Sequence, residues 1–196
     1  MKFFLKLSIP FLILGIAYYV WYVHFQYRLE TISPNKVYKS ALIPPDKIEG
    51  FLLDNKIKTV IDLLHPELNN ALNPAGQSNI DEEDSAIKQV NAKHNLSIQH
   101  INIQSDQVPS KENLEKFFEI LDDKSNYPVL IHCYHGTGRA QIYSALYRIE
   151  YESWKNEDAR AKTRVIVSGL GYKSSFSDSK PKGKFLINYK TRKEQK

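Results

Sequence analysis

The chain has 196 residues, 42% of them hydrophobic, with 27 Lys or Arg against 22 Asp or Glu. This fits one globular domain plus one additional segment, and a single cysteine, Cys133, excludes an intramolecular disulfide. The +5 formal charge is unevenly spread: seven Lys or Arg and one Glu between Lys180 and Lys196 carry +6, leaving −1 on the remainder. No interleaving of aromatic and basic residues accompanies that charge, so nucleic acid is not expected as a partner. The tail, residues 177–196, reads as solvated chain or as a segment that touches anionic lipid headgroups.

The additional segment comes first. Leu7 to Phe25 reads LSIPFLILGIAYYVWYVHF and lacks Asp, Glu, Lys and Arg, close to the roughly 20 apolar residues that cross a bilayer. Lys2 and Lys6 precede it, and Tyr18, Tyr19, Trp21, Tyr22 and Tyr27 crowd its far end like an interfacial aromatic belt. A cleaved secretory signal would end in small residues, which are missing here. A buried helix of the domain is the other alternative. The expectation is a single-pass membrane anchor over residues 1–27. The two leading lysines favour an extracytoplasmic domain, periplasmic in a bacterium, although Arg28, Lys36 and Lys39 follow the span.

The domain is expected over residues 28–176. Gln26 to Lys36 reads as a linker with a turn at Ser33-Pro34-Asn35. Val37 to Ile43 is a short strand. Pro45-Asp46 opens a helix to about Asn55, and Ile57 to Leu64 is a buried parallel strand. His65 to Ile80 is a long polar stretch with two prolines and Gly76, which suggests a functional loop. Asp81 to Asn95 reads as a helix whose acidic start, Asp81 to Asp84, suits its positive end. Leu96 to Ile103 alternates like a strand. Ser110 caps a helix to about Leu121, with Leu114, Phe117, Phe118 and Leu121 at core spacing. Val129-Leu130-Ile131 is another buried strand, and Ala140 to Tyr151 a helix. Asn156 to about Val167 reads as one more helix, broken at Ser168-Gly169-Leu170-Gly171, and Tyr172 to Tyr189 as irregular chain. Alternation of strands and helices predicts an α/β fold with a mostly parallel sheet flanked by helices.

The run His132-Cys133-Tyr134-His135-Gly136-Thr137-Gly138-Arg139 lies in the turn between that last strand and the helix after it. A thiol attacks phosphorus as a thiolate. A turn that aims backbone amides at one point, at the start of a helix, favours an anion there. The amides of residues 134–139 are placed to do this, Gly136 and Gly138 allow close backbone approach, and Arg139 adds a planar fork for two oxygens. The chemistry implied is in-line displacement that forms a cysteinyl-phosphate, then hydrolysis.

The string HCYHGTGR resembles the phosphate-binding loop of the cysteine-dependent protein tyrosine and dual-specificity phosphatases. The likeness runs from about Val37 to Tyr151. VYKSALIPPDKIEGFLLDNKIKTVIDLL is similar to that family's opening strand, helix and strand. IQHINIQSDQVPSKENLEKFFEIL is similar to its strand, acid loop and helix, in the compact form of small bacterial and fungal members. The resemblance implies Cys133 as nucleophile, Arg139 as the phosphoryl-binding side chain, a phosphate cradle from Tyr134 to Arg139, and His132 tuning the cysteine through hydrogen bonds. It implies no cofactor and no metal. The family takes the leaving group's proton from an Asp on a separate loop. Asp106, in Gln104-Ser105-Asp106-Gln107-Val108-Pro109, fits that role, with Asp81, Glu82, Glu83 and Asp84 as rivals. Ala140 stands where the family usually carries Ser or Thr, so a slow dephosphorylation step is expected.

Other readings stay open. Cys133 could be an ordinary core thiol. His132, Cys133 and His135 could ligate a metal with His65, His94 or His100. A sulfurtransferase, or a weakly catalytic phosphate-binding module, could use a similar loop. Phosphotyrosine or phosphoserine/threonine proteins, inositol phosphates and phosphoinositides are the candidate substrates.

Overall fold

A computed structural model describes residues 2–68, 74–165 and 169–195, with side chains from residue 9 onward. Its centre is a five-stranded sheet: β1 (Glu30–Ser33), β2 (Val37–Ala41), β3 (Thr59–Asp62), β4 (Gln99–Asn102) and β5 (Val129–Cys133), in the order β1-β2-β5-β3-β4. The last four run parallel, and β1 is an antiparallel edge strand paired to β2. The expected linker at Gln26 to Lys36 therefore contains a strand. Its four residues give too little alternation to stand out, and its pairing to β2 is set by the turn between them.

The helices are α1 (Lys2–His24), α2 (Ile48–Asp54), α3 (Gln77–His94), α4 (Lys111–Asp122), α5 (Arg139–Glu152), α6 (Asn156–Lys162) and α7 (Pro181–Asn188). Successive strand residues point to opposite faces, and both faces are apolar. Tyr38, Val60 and Leu130 pack against Ile48, Leu52, Ile87 and Val90 of α2 and α3. Val37, Ile61, Val129 and Ile131 pack against Phe117 and Leu121 of α4 and Ile142 and Leu146 of α5. Leu186 and Tyr189 belong to that second layer, so the segment expected to be irregular folds as α7 and joins the core. Gly76 precedes α3, which starts four residues earlier than the acidic run suggested. Asp81 to Asp84 thus lie in its second turn, where Glu83 is buried. The stretch His65 to Ile80 falls partly outside the described residues, as does Ser168.

No helix among the described residues is long and apolar enough to cross a membrane. This overturns the expected anchor over residues 1–27, the single-pass membrane placement and the extracytoplasmic domain inferred from it. Lys2 and Lys6 fall within the 23 residues of α1, and the helix ends in the polar-tipped Tyr18, Tyr19, Trp21, Tyr22 and His24.

Candidate active site

Cys133 closes β5 and Arg139 opens α5, so the loop between them sits at the carboxyl end of a central parallel strand, where open α/β sheets bind ligands. Gly136 adopts φ +67°, and a Cβ there would lie 2.6 Å from the Ala41 nitrogen. Only glycine fits this approach of the loop to β2. Lys39 Nζ donates to the Gly136 carbonyl at 3.1 Å and pairs with Glu30 at 3.3 Å. Arg28 Nη1 donates to the His135 carbonyl at 2.7 Å. Two cations therefore hold the loop's carbonyls from outside, leaving its amides for an anion.

The Ala140 amide lies 3.5 Å from the Cys133 sulfur and donates to it. Arg139 is buried and anchored: Nη1 donates to the Leu63 carbonyl at 2.6 Å and the Ser105 carbonyl at 3.3 Å. Burial pulls its guanidinium below the usual range, while Cys133 and Asp62 favour the charge. Sulfur and guanidinium thus meet at the loop, with the Ala140 amide on the sulfur. Cys133, His135, Thr137, Gly138 and Arg139 line one cavity of about 220 Å³ with Gln107, Ser175 and Lys182. Tyr134 instead packs against the small cluster of Leu64, Ala75 and Ile80, its ring edge-on to His135. Asp106 is exposed on the loop after β4, and its neighbour Gln107 reaches the cavity wall.

His132 points to the other face of β5, away from the cysteine. Its Nε2 lies 3.0 Å from Glu83 Oε2 and 3.8 Å from Asp62 Oδ1. His100 Nε2 lies 3.2 Å from the same Glu83 oxygen. Asp62 also accepts from the Leu64 amide at 2.7 Å and from Asn102 Nδ2 at 2.8 Å. Burial opposes charge on His132, but Glu83 and Asp62 outweigh it and push its pKa up to about 9. Burial likewise opposes charge on Glu83, yet the two histidines bring it down to about 2. His132 and Cys133 interact by charge across the strand. The donors of Asp62, Glu83, His100 and His132 lie within 4.8 Å of one another, close enough for a divalent ion. Here two carboxylates are already matched by two imidazoles, an amide and Asn102, so the cluster is an ion-pair network. The earlier metal grouping around Cys133 is not what the fold assembles: His94 pairs with Glu49 at 2.7 Å, and His100 belongs to this network.

Sequence reasoning missed the parts played by Lys39 and Lys182, and it offered Glu83 only as a rival acid and His100 only as a possible metal ligand. Lys39 carried a signal, a charge in the middle of a buried strand. Glu83 carried none, because an acid among four acids near a helix start reads as a solvated end.

A family model described as a DSP-PTPase phosphatase fused to NAD+ kinase matches residues 44–177. No curated protein matches the chain in sequence. The fold is similar to that of TpbA from P. aeruginosa, with a TM-score of 0.55, 20% identity, and coverage of 83% of this chain and 84% of that one. It is also similar to the core catalytic domain of the PP-IP phosphatase SIW14 from S. cerevisiae, with a TM-score of 0.56, 18% identity, and coverage of 83% and 85%. A TpbA variant solved in complex with pTyr matches at a TM-score of 0.53 and 19% identity, covering 83% of this chain and 84% of that one.

Proposed function

This chain belongs to the DSP-PTPase phosphatase family and is a cysteine-dependent phosphatase, and we propose that it hydrolyses phosphate monoesters through a phosphorylated Cys133. The observation that carries the assignment is Cys133 and Arg139 on the wall of one cavity, with the Ala140 amide donating to the sulfur. The substrate's phosphoryl oxygens bind the amides of Tyr134 to Arg139 and the Arg139 fork. Cys133 attacks phosphorus in line with the leaving oxygen, the phosphorus–oxygen bond breaks as the sulfur–phosphorus bond forms, and water then cleaves the intermediate. Loop and guanidinium are fixed before substrate arrives, so charge that develops on the transferred group meets donors already in place. Hydrolysis of p-nitrophenyl phosphate by the purified chain tests the reading, and thiosulfate-to-cyanide sulfur transfer in its place would overturn it. Among the neighbours, one bears pTyr and another is named for PP-IP; both chemistries stay candidates for this chain, as does a phosphoinositide.

Asp106 is the proposed general acid. Its loop brings Gln107 to the cavity, so a modest shift of the same loop carries the carboxyl over the leaving group. Asp106→Asn is expected to cut turnover about 10²-fold or more on phenyl phosphate, which leaves poorly, and far less on p-nitrophenyl phosphate. Equal losses on the two esters would remove the assignment.

Ala140 offers the sulfur a backbone amide but no hydroxyl. Thiolate departure from the phosphoenzyme therefore lacks one charge-assisted hydrogen bond, a contribution of about 1.5–3 kcal/mol. The expected result is a burst of p-nitrophenol equal to the enzyme concentration, followed by slow turnover. Rapid-mixing kinetics without a burst, at a high steady-state rate, would exclude it.

A further inference from the structure

We propose that Lys182 forms a second anion subsite beside the catalytic loop, which selects substrates carrying another phosphate next to the one transferred. The inference rests on the phosphatase reading and names the substrate class of that same site.

Lys182 stands in the first turn of α7 and is 9% exposed. Its position is set by Gly183, where any Cβ would overlap the carbonyls of Phe176 and Ser177. The turn therefore docks tightly on that segment and carries the lysine into the cavity with Cys133, Arg139, Gln107 and Ser175. The ammonium lies 5.3 Å from the centre of the Phe176 ring. It also stands directly over the loop: a Cβ at Gly138 would meet Lys182 Nζ at 3.2 Å and Gln107 Oε1 at 3.3 Å.

Compare the other buried cations. Lys39 has Glu30 and the Gly136 carbonyl. Arg139 has the carbonyls of Leu63 and Ser105. Arg148 faces Glu30 at 3.7 Å, and Arg160 is held by Glu157. Among the described residues, no carboxylate forms an ion pair with Lys182. Three influences oppose a cation at its position: burial, the like charge of Arg139, and the positive end of α7. Cys133 is the group that favours it. A charge kept where its surroundings disfavour it marks a binding role more often than a structural one.

The chemistry of the missing partner follows. One phosphoryl group is already matched by the loop amides and the Arg139 fork. Lys182, with the Ser175 wall beside it, remains for a different oxyanion in the same small cavity. At about 220 Å³ the space is below the roughly 300–1,000 Å³ of drug-sized ligand sites, so the second oxyanion must be close to the first. A diphosphate or two phosphates on adjacent carbons meets that geometry.

Isothermal titration of the full chain with methylphosphonate and with methylenediphosphonate, a diphosphate that cannot be hydrolysed, tests the subsite. Wild type is expected to bind the diphosphonate at least about tenfold more tightly. Lys182→Met should bring that ratio close to one, and Lys182→Arg should restore most of it. A wild-type ratio near one overturns the proposal without any variant, and so does a ratio unchanged in Lys182→Met. Melting curves confirm that each variant is folded, with Lys182→Gln used if the methionine variant is not. Hydrolysis of p-nitrophenyl phosphate, measured in parallel, separates the two claims. Turnover with a flat binding ratio removes the subsite and keeps the phosphatase; a steep ratio without turnover does the reverse.

Discussion

Serine in place of Cys133 is expected to abolish aryl-phosphate hydrolysis while the protein still binds phosphate. The nucleophile must be an anion when it meets phosphorus, and a serine hydroxyl stays protonated in the pH range where a thiol ionises. The Ala140 amide, which donates to the sulfur, and the Arg139 guanidinium, which is itself a cation, offer that hydroxyl no base. Loss of about 10³-fold or more in turnover is the expected scale for removing a covalent nucleophile. Binding is another matter, because the groups that hold the phosphate do not include the sulfur. Arg139 is fixed by two carbonyls, and Gly136 is locked against β2. Inorganic phosphate should therefore bind the Cys133→Ser protein with an affinity of the same order as wild type. Retention of more than about 1% of wild-type turnover would mean that sulfur is not the attacking atom. Loss of phosphate binding together with activity would mean that the loop had been disturbed rather than the chemistry. A phosphate-binding module without catalysis predicts a third result, equal and negligible turnover in both proteins.

How much of this was legible follows the range of each interaction. Cys133 to Arg139 is a local device: strand, loop and helix start lie within a few residues, so spacing alone conveys the geometry. The sheet was legible for a related reason, since buried parallel strands such as Val129 to Cys133 are nearly continuous apolar runs. The antiparallel edge strand Glu30–Ser33 was not, because its stability comes from pairing with β2 rather than from its own four residues. Glu83 and His100 reach the network behind β5 from α3 and β4, Lys182 reaches the cavity from α7, and no local pattern distinguishes an acid or lysine that will be buried from one that stays solvated. The N-terminal helix shows the opposite error. Its composition was read as a bilayer match, yet no helix among the described residues is long and apolar enough to cross a membrane.

Glu83→Gln is expected to destabilise the protein most in mildly acid solution, and its pH dependence distinguishes a buried ion pair from simple packing. The glutamine keeps the shape and removes the charge that faces His132 at 3.0 Å and His100 at 3.2 Å. His132 rises from 6.5 unfolded to about 9 folded, because the attraction of Glu83 and Asp62 exceeds the cost of burial. A raised histidine contributes stability that is complete below pH 6.5 and is lost as pH climbs through 9. His100 is also raised, by Glu83 against burial, and contributes with the same sign. Glu83 falls from 4.5 unfolded to about 2 folded, so its contribution is complete above pH 4.5 and is lost as pH drops through 2. Both conditions hold between pH 4.5 and 6.5. There the interaction, counted once for the pair, is worth on the order of 3 kcal/mol. For a chain of this size that corresponds to a melting temperature lower by about 6–12 °C in the variant. Toward pH 9 the gap should narrow, since wild-type His132 sheds its proton and the variant's His132, which burial then keeps neutral, has no cation left to strand. Asp62 is held above its usual range chiefly by burial, but it is present in both proteins, so its cost largely cancels in the difference. Melting curves from pH 4.5 to 9 decide the matter: a gap that stays constant across the range would show that the glutamine loosens packing rather than uncouples charge.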